Sequence, residues 1–486
     1  MHVTFVSIGY GELLGVQSLS AVLRAHGHTT SLAHDPALFD DRFDLHVPAL
    51  ARRFDRLDEV VARIVADRPG LVAFSCITAT YARARLIARS VRAIRPIRTV
   101  FGGTHASAVP AAVMRAPEVD YVCEGEGEYA LLELVEAIEG GDGTPRIASI
   151  WTRRGPPPYV RPVLQDLDQL PFPDKTLYAG TSPRRGMYGV MTGRGCPYRC
   201  SYCFNSYYAD LGGRPKSWVR RRSVDNVLAE LRTFARDASY IEFHDDIFTY
   251  DRDWLARFLP RYRAEVGVPW GCSAHSRWLD VELACMMRGA GCVRVKMGVQ
   301  SLDELRYRAK TLKRAEKEED IVRAFQACAT AGLRLEVDHI LGLPGESEAG
   351  KRHALEFYRV NTPARIGAYQ LAYFPGTAIT EAAIASGHID EAGARAIEEG
   401  HAPNFHDHAN DVGYGIAFRL LPMLPKAMRD RLEPELLARI PRMGSVARWT
   451  TAVGMLADVS RGGGLDAMNY VRWYAHHLTR PVSCAS

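Results

Sequence analysis

The chain has 486 residues, which is too long for one ordinary core and indicates about two to four domains. Hydrophobic residues make up 47% and charged residues 24% of it, the composition of a soluble globular protein. No apolar run approaches the roughly 20 residues that span a bilayer, and the N-terminus has no signal-peptide pattern, so we expect a cytoplasmic protein. The net charge of +5 is small for this length and gives no reason to expect a nucleic acid as partner.

Strand and helix patterns alternate over residues 1–145. A helical pattern covers residues 13–25, and short apolar runs that end at polar or glycine-rich turns predict strands at 3–8, 71–75, 99–101 and 119–123. Such alternation indicates a parallel, doubly wound (Rossmann-like) sheet. Ligands of these sheets bind at the carboxyl ends of the strands, where the glycine-rich turns fall.

A connector rich in glycine, proline and aspartate is predicted at residues 146–185. Residues 186–385 then resume the alternation, and a helix is predicted to begin at the N-cap Ser223. The six predicted strands span residues 189–192, 240–244, 270–274, 293–298, 334–339 and 368–374. Six βα units are too few for a closed eight-stranded barrel, so we expect a partial (βα)6 barrel.

A small α-helical region is predicted at residues 386–486, because the strand patterns stop there. Its helical patterns lie at 420–437 and 446–456. The predicted fold class is therefore α/β, with a doubly wound domain, a partial barrel and a helical C-terminal region.

Three of the ten cysteines, Cys196, Cys200 and Cys203, are crowded into eight residues after the first barrel strand. In a reducing compartment such crowding indicates metal or redox chemistry rather than disulfides. Thiolates hold iron–sulfur clusters, normally one per iron, so three of them leave one iron of a four-iron cluster open to a small molecule. The alternatives are a structural zinc knot or three unrelated core thiols. Zinc would require a fourth Cys or His at matching spacing, and the neighbouring sequence has none.

The motif C-x3-C-x-aromatic-C, with Tyr202 as the aromatic residue, resembles that of the radical S-adenosylmethionine (SAM) superfamily. The resemblance implies a [4Fe–4S] cluster whose unique iron is chelated by the amino and carboxylate groups of SAM. It also implies reductive cleavage of SAM to methionine and a 5′-deoxyadenosyl radical, with the protein orienting these groups. An electron donor such as flavodoxin or ferredoxin is implied as a partner.

Further positions resemble the SAM contacts of this superfamily, because they follow the predicted barrel strands in the same order. The segment after the second strand lacks the glycines of the superfamily motif, so only backbone contacts carry over there. The SAM-binding residues that the resemblance implies are Tyr202, Phe204, Asp245, Gln300, Ser301 and Leu341.

The segments 101–105 (FGGTH) and 119–128 (VDYVCEGEGE) resemble the N-terminal domain of cobalamin-dependent (class B) radical SAM proteins. Glycines there let the backbone approach a large planar corrin and its nucleotide tail. The cobalamin-binding residues that the resemblance implies are Gly9, Tyr10, Ser75, Thr78, Gly102, Gly103 and Glu126.

Many cobalamin domains carry a cobalt-ligating histidine in the turn after the first strand, but the turn here, Gly9-Tyr10-Gly11-Glu12, has none. We therefore expect a lower cobalt face without a protein histidine. His46, which follows the second strand in a similar pattern, is the alternative ligand.

The resemblance implies an enzyme, most simply a C-methyltransferase that acts on an unactivated carbon of a small-molecule or natural-product substrate. One alternative is an oxidative cyclase or rearrangement enzyme without net methylation, like the anaerobic magnesium-protoporphyrin cyclase. Methylthiotransfer would normally bring a second N-terminal cysteine cluster, and only Cys76 and Cys123 occur there. The alternative from another class is a corrinoid or iron–sulfur electron carrier.

Overall fold

The computed structural model describes residues 1–40, 47–181, 186–211, 218–314, 316–401, 409–435 and 465–479. These residues form two six-stranded sheets, one in each half of the chain, and a two-stranded ribbon. The doubly wound domain and the partial barrel expected from the sequence are confirmed. No helix within these ranges is long and apolar enough to cross a bilayer.

The first sheet has the strand order β2-β1-β3-β4-β5-β6 and is parallel except at its β6 edge. Its strands are β1 (His2–Ile8), β2 (Thr29–Asp35), β3 (Leu71–Ser75), β4 (Arg98–Gly102), β5 (Tyr121–Cys123) and β6 (Ile150–Thr152). Its helices are α1 (Leu14–Ala25), α2 (Pro48–Arg53), α3 (Leu57–Asp67), α4 (Thr78–Ile94), α5 (Gly103–Ala108), α6 (Pro110–Met114) and α7 (Glu128–Glu139). Successive strand residues point to opposite faces, so Phe5 packs with α1 and α7 whereas Val6 packs with α3 and α4.

Strand β6 comes from the segment that was expected to be a connector. It pairs antiparallel with β5, with Trp151 opposite Val122. Three residues are too few to show a periodicity, so the sequence pattern gave no signal for this strand. The first sheet therefore extends to Thr152, past the expected boundary at residue 145. The rest of the connector contains two 3₁₀ turns, Leu167–Gln169 and Lys175–Tyr178.

The second sheet is the parallel sheet of a partial barrel, with the order β14-β13-β12-β11-β10-β7. Its strands are β7 (Met187–Val190), β10 (Tyr240–Phe243), β11 (Trp270–Ala274), β12 (Cys292–Gln300), β13 (Arg334–Leu341) and β14 (Arg365–Gln370), and the ribbon is β8 (Gly193–Arg194) with β9 (Arg220–Arg221). Its helices are α8 (Phe204–Leu211), α9 (Val224–Phe234), α10 (Arg252–Glu265), α11 (Val281–Gly289), α12 (Leu305–Lys310), α13 (Glu318–Ala331) and α14 (Glu348–Val360). The predicted N-cap is confirmed, since Ser223 accepts a hydrogen bond from the backbone N–H of Asn226.

The first and last barrel strands differ from the predicted bounds. β7 ends at Val190, two residues early, because Thr192 bonds to the carboxylate of Asp245 instead of continuing the strand. β14 ends at Gln370, and the residues after it turn at Gly376, whose φ is +75°.

The C-terminal helices are α15 (Ala378–Ala385), α16 (Glu391–Glu398), α17 (Ala409–Leu420), α18 (Lys426–Arg429) and α19 (Leu465–Thr479). The helix predicted at 420–437 is wrong in its bounds: α17 ends where that helix was to begin, because Pro422 and Pro425 cannot donate helical hydrogen bonds. The helix predicted at 446–456 lies outside the described residues, as does His46. α17 packs against β14, and α19 returns to the first domain.

Candidate functional site

A cavity of about 370 Å³ lies between the two domains, where the carboxyl ends of both sheets meet. From the first domain it is lined by Ser75, Gly102, Gly103 and Glu126, four of the seven predicted cobalamin-binding residues. From the barrel side it is lined by residues of the cysteine loop, the ribbon and the second barrel turn, which are Gly193, Arg194, Gly195, Asn205, Tyr208, Trp218, Arg220 and Asp246. The cavity thus joins the two ligand-binding edges that the sequence predicts separately.

On the side of the first domain, the backbone itself shapes the wall of the cavity. Gly103 has a φ of +89°, and a Cβ there would lie 2.7 Å from the backbone N and O of Cys76. Only glycine fits this position, and it keeps the edge open. The cavity continues as an apolar slot between the sheet and α1, lined by Phe5, Ala73, Val100, Leu14 and Leu19. An open edge beside an apolar slot fits the corrin and the nucleotide tail of cobalamin.

The three other predicted cobalamin-binding residues, Gly9, Tyr10 and Thr78, do not line this cavity. Thr78 is buried and its hydroxyl lies 3.2 Å from Nδ1 of His105, whose Nε2 donates to the carbonyl of Glu398. Burial lowers the pKa of His105 to about 4, so this imidazole is neutral and holds the turn after β4 in place. Tyr10 lies at the end of β1 and packs edge-on against Trp473.

Glu126 joins the two domains. Its carboxylate accepts hydrogen bonds from Arg220 at 2.9–3.0 Å, from Arg194 at 3.3 Å and from the backbone N–H of Leu164 at 3.0 Å. These donors hold the pKa of Glu126 below its ordinary value although burial opposes this. Arg194 also binds Glu128 at 2.5 Å. The residue predicted to contact cobalamin therefore also ties the first domain to the ribbon.

The cysteine loop follows β7 and turns at Gly195, whose φ is +91° and where a Cβ would lie 2.5 Å from the carbonyl oxygen of Trp218. Burial raises the pKa of Cys196 to about 12 and that of Cys203 to about 11; Cys200 adds to both shifts, and Cys203 adds to that of Cys196. The three thiols are thus close enough to affect one another electrostatically.

No three His, Cys, Asp or Glu side chains within the described ranges are placed to hold one metal ion. A four-iron cluster takes one thiolate per iron, so its ligands need not converge on a single point.

A buried guanidinium lies behind the cysteine loop. Nη1 of Arg314 is 3.9 Å from Sγ of Cys200 and 3.1 Å from the hydroxyl oxygen of Tyr202. Its Nη2 donates to the carbonyl of Gly298 at 2.8 Å, and its Nε donates to Glu316 at 2.6 Å. A cation in this place favours negative charge on the thiols, so the donor set fits an anionic thiolate-bound cluster.

The two aspartates after β10 have different environments. Each oxygen of Asp245, the predicted SAM contact, accepts a hydrogen bond from Thr192, one from its backbone N–H at 3.1 Å and one from its hydroxyl at 2.6 Å. Asp246 instead lines the cavity, accepts a hydrogen bond from Asn205 at 2.8 Å, and acts electrostatically on Cys196 and Cys203. Burial raises the pKa of Asp246, and the charge of Asp245 adds to the shift. The sequence signal was the doubled aspartate, and the prediction chose the inner one.

The ends of β12, β13 and β14 carry buried acceptors that lack hydrogen-bond partners: Oε1 of Gln300, Oε2 of Glu346 and Oε1 of Gln370. Gln300 also has a left-handed φ of +68°. Ser301 donates to Oε1 of Glu346 at 2.5 Å, and burial raises the pKa of Glu346 to about 8. The unpaired amide oxygens of Gln300 and Gln370 require donors, which the ribose hydroxyls of SAM would supply, whereas a protonated Glu346 can itself donate a hydrogen bond. Glu346 and Gln370 were missed by sequence reasoning.

Two predicted SAM contacts have mainly packing roles in this structure. Leu341 is 1% exposed at the end of β13 and lies in the barrel core. Phe204 packs against Phe374 with ring centroids 5.2 Å apart.

Two family models match the chain. The B12 binding domain matches residues 3–135, and the Radical SAM superfamily matches residues 190–358. The chain belongs to the cobalamin-binding radical SAM family. The cofactors predicted from the sequence, a [4Fe–4S] cluster, SAM and cobalamin, are those of these two domains, and the protein is a radical SAM enzyme.

Curated relatives of this cobalamin-binding radical SAM protein include an uncharacterized methyltransferase, PH0819, of Pyrococcus horikoshii. It is 26% identical over 404 residues, which cover 77% of this chain and 79% of the relative. The anaerobic magnesium-protoporphyrin IX monomethyl ester cyclase of Rubrivivax gelatinosus is 26% identical over 318 residues, which cover 60% of this chain and 54% of the cyclase.

Solved structures of cobalamin-dependent enzymes share the fold of this family member. One is OxsB with aqua-cobalamin and SAM bound. The match covers 100% of this chain and 77% of the OxsB chain, with a TM-score of 0.66 and 13% sequence identity. Another is the methyltransferase TsrM of Kitasatospora setae. The match covers 78% of this chain and 75% of the TsrM chain, with a TM-score of 0.62 and 21% sequence identity.

Proposed function

We propose that this protein is a cobalamin-dependent radical SAM methyltransferase that adds a methyl group to an unactivated carbon of a small-molecule substrate. The observation that carries the proposal is the single cavity that both ligand-binding edges share, with Gly102 and Gly103 on one side and Asp246 beside the cysteine loop on the other. When bound, the cluster with SAM supplies the radical and cobalamin supplies the methyl group.

The chain's own residues enclose and orient the reactants. The apolar slot and the aromatic residues Tyr208 and Trp218 limit water at the cavity wall. Asp246 has a raised pKa and lies within the cavity, so its carboxyl group can hold a proton or accept one from the substrate or from the SAM amino group. Gln300 and Gln370 supply acceptors that orient a donor-rich ligand.

The names of relatives support methyl transfer. Besides PH0819, they include the cytidylyl-2-hydroxyethylphosphonate methyltransferase of Streptomyces wedmorensis. It is 26% identical over a region that covers 59% of this chain and 61% of that methyltransferase. A flavodoxin or ferredoxin as electron donor and a cytoplasmic location belong to the same proposal.

The test uses protein reconstituted without oxygen with iron, sulfide, hydroxocobalamin and a low-potential reductant. A methyltransferase converts SAM to two products, 5′-deoxyadenosine from radical formation and S-adenosylhomocysteine from remethylation of the cofactor. We expect both products by liquid chromatography, and we expect S-adenosylhomocysteine only when cobalamin is present. Formation of 5′-deoxyadenosine alone, with fully loaded cobalamin, would contradict methyl transfer.

That contradicting result would favour an oxidative cyclase, the second candidate, which the similarity to two magnesium-protoporphyrin cyclases supports. Methylthiotransfer is less compatible with the structure. Cys76 and Cys123 pack in the cores on opposite faces of the first sheet, so they cannot share a second cluster.

A further inference from the structure

The C-terminal helix α19 packs on the first domain, at the carboxyl ends of β1 and β2. Trp473 is 3% exposed and Tyr474 is 9% exposed, and both pack with Leu38. Tyr10, Phe39 and Phe54 surround this cluster. The last described helix of the chain is therefore part of the packing around the first loop of the cobalamin domain.

Polar contacts fix α19 to three separate segments. The backbone N–H of Phe39, after β2, donates to the hydroxyl of Tyr474 at 3.1 Å. Arg56, between α2 and α3, donates to the carbonyl of His477 at 2.5 Å. Nε2 of His477 lies 3.1 Å from the carbonyl of Thr181, and since a carbonyl only accepts, the imidazole donates. The helix thus joins the first domain to the end of the connector.

The loop between β1 and α1 is held at its two ends, where the N–H of Gly9 donates to the carbonyl of Asp35 at 2.9 Å and the N–H of Leu13 donates to the hydroxyl of Tyr178 at 3.2 Å. Gly9 and Gly11 have φ values of +87° and +109°, and nothing lies within 4 Å of a Cβ built at Gly9. Trp473 packs edge-on against Tyr10 in this loop, with ring centroids 5.4 Å apart. Helix α1 begins three residues after Gly11, and its first residues, Leu14 and Gly15, line the cofactor cavity. Trp473 is therefore connected, through Tyr10 and this loop, to a wall of the cavity.

The docked helix also covers polar groups that receive no partner. Ser7 Oγ and both ring nitrogens of His34 are buried without hydrogen bonds, and these two residues lie opposite each other on β1 and β2. The ring of His34 contacts those of Trp473 and His477. Removing these atoms from water opposes docking, whereas the aromatic packing favours it. A contact balanced in this way can open and close.

We propose that α19 is a latch that retains cobalamin, and that Trp473 is a positioning residue that acts through Tyr10 on the β1–α1 loop. Trp473 does not touch the cofactor cavity. With the latch docked, the start of α1 is held as a wall of the slot, and cobalamin leaves slowly. With the latch open, the middle of the glycine loop loses the packing of Trp473 against Tyr10, and the cofactor exchanges faster. This inference depends on the cobalamin domain alone, not on which group accepts the methyl.

The experiment measures the dissociation rate of hydroxocobalamin from the reconstituted full chain. Loaded protein is mixed with an excess of an unrelated cobalamin-binding protein, and the transfer is followed by visible absorbance. We expect Trp473→Ala to speed dissociation at least about tenfold. Trp473→Phe keeps an aromatic ring against Tyr10 and should restore most of the retention. Val471→Ala is the matched control, because Val471 lies on the same helix and is 48% exposed.

Two further measurements separate positioning from loss of fold. Formation of 5′-deoxyadenosine reports on the barrel and should remain unchanged in Trp473→Ala. Tyr474→Phe removes only the hydroxyl that binds Phe39, and a few-fold faster dissociation is expected from it if Trp473→Ala does not fold. Dissociation at the wild-type rate in Trp473→Ala, or in Tyr474→Phe where only that variant folds, would overturn the proposal. So would equal acceleration by Val471→Ala.

Discussion

The carboxyl edge of the first sheet and that of the barrel face the same cavity, yet they are built to hold ligands in different ways. The first edge offers backbone and apolar surface: Gly102, Gly103 and the slot beside Phe5. The barrel edge offers thiols, a buried guanidinium at Arg314 and unpaired acceptors such as Gln300. The first edge therefore selects by shape and the second by charge and ligand chemistry. Substitutions at the edge of the first sheet should therefore change ligand binding through side-chain volume. Substitutions at the barrel edge should change it through charge or the loss of metal ligands.

The largest effect is expected from replacing all three thiols, Cys196, Cys200 and Cys203, with alanine. We expect loss of cluster iron and sulfide and no 5′-deoxyadenosine, because no ligands remain for the irons. Cobalamin absorbance should persist, since the first edge is untouched. Cys285→Ala is the control, because this exposed cysteine lies outside the loop. Cleavage of SAM by the triple variant would contradict the role of these thiols as cluster ligands at the barrel edge.

The complementary change at the first edge is Gly103→Ala. Its Cβ would lie 2.7 Å from the backbone of Cys76, so the turn must shift, and we expect cobalamin affinity to fall at least about tenfold. Cleavage of SAM should remain. Gly141→Ala is a matched control with the same φ of +89° but nothing within 4 Å of its Cβ. Equal losses of affinity in both variants would show that the close approach at Gly103 has no special role.

A smaller effect is expected from Arg314→Met, which removes the cation beside Cys200. A buried positive charge favours the reduced cluster, so its loss should lower the midpoint potential by on the order of 60 mV, a tenfold change for one electron. Spectroelectrochemical titration without SAM measures this. Arg314→Lys should restore part of the potential. Arg277→Met removes a half-exposed cation and should leave it unchanged, since water and salt screen that charge. An unshifted potential in Arg314→Met would mean that the barrel edge does not act through charge.

The smallest effect is expected from pH. Burial lowers the pKa of His34 to about 4 and that of His477 to about 3, and His476 and Arg56 oppose protonation further. Undocking exposes these rings and moves both pKa values part of the way back toward the ordinary 6.5, so protonation favours the open latch. Docking is therefore strongest above pH 6.5 and weakens as the pH falls toward 4. Cobalamin dissociation should be roughly a few-fold faster at pH 5.5 than at pH 7.5.

The control for this pH dependence is His34→Phe, which keeps a ring but cannot be protonated, and whose response should be smaller. His353→Gln replaces an exposed histidine on α14 and should respond as the wild type does. A dissociation rate that does not change with pH in the unmodified protein would contradict this account of the latch.

The sequence predicted what local patterns encode. The three thiols stand in one short motif, and the strand ends follow from apolar runs that stop at glycine-rich turns. Gly103 was visible in the sequence for a similar reason, because a turn that requires a positive φ favours glycine, and this residue lines the cavity.

What escaped prediction depends on contacts between distant segments. Arg314 lies 114 residues from Cys200, and Tyr10 meets Trp473 across most of the chain. Asp246 lines the cavity whereas Asp245 binds Thr192, and no spacing rule connects Thr192 to either aspartate. β6 was missed because its partner strand, not its own three residues, makes it a strand.

The carboxylate of Glu126 has a consequence for how substrate reaches the cavity. Pulling the domains apart would strand this anion and the guanidiniums of Arg194 and Arg220 without their partners, and Arg220 is only 2% exposed at its side chain. Opening would break these charged hydrogen bonds and expose the buried guanidinium of Arg220, so the contacts oppose separation of the domains. We therefore expect substrate to enter by a route that leaves the contacts of Glu126 with Arg194 and Arg220 intact.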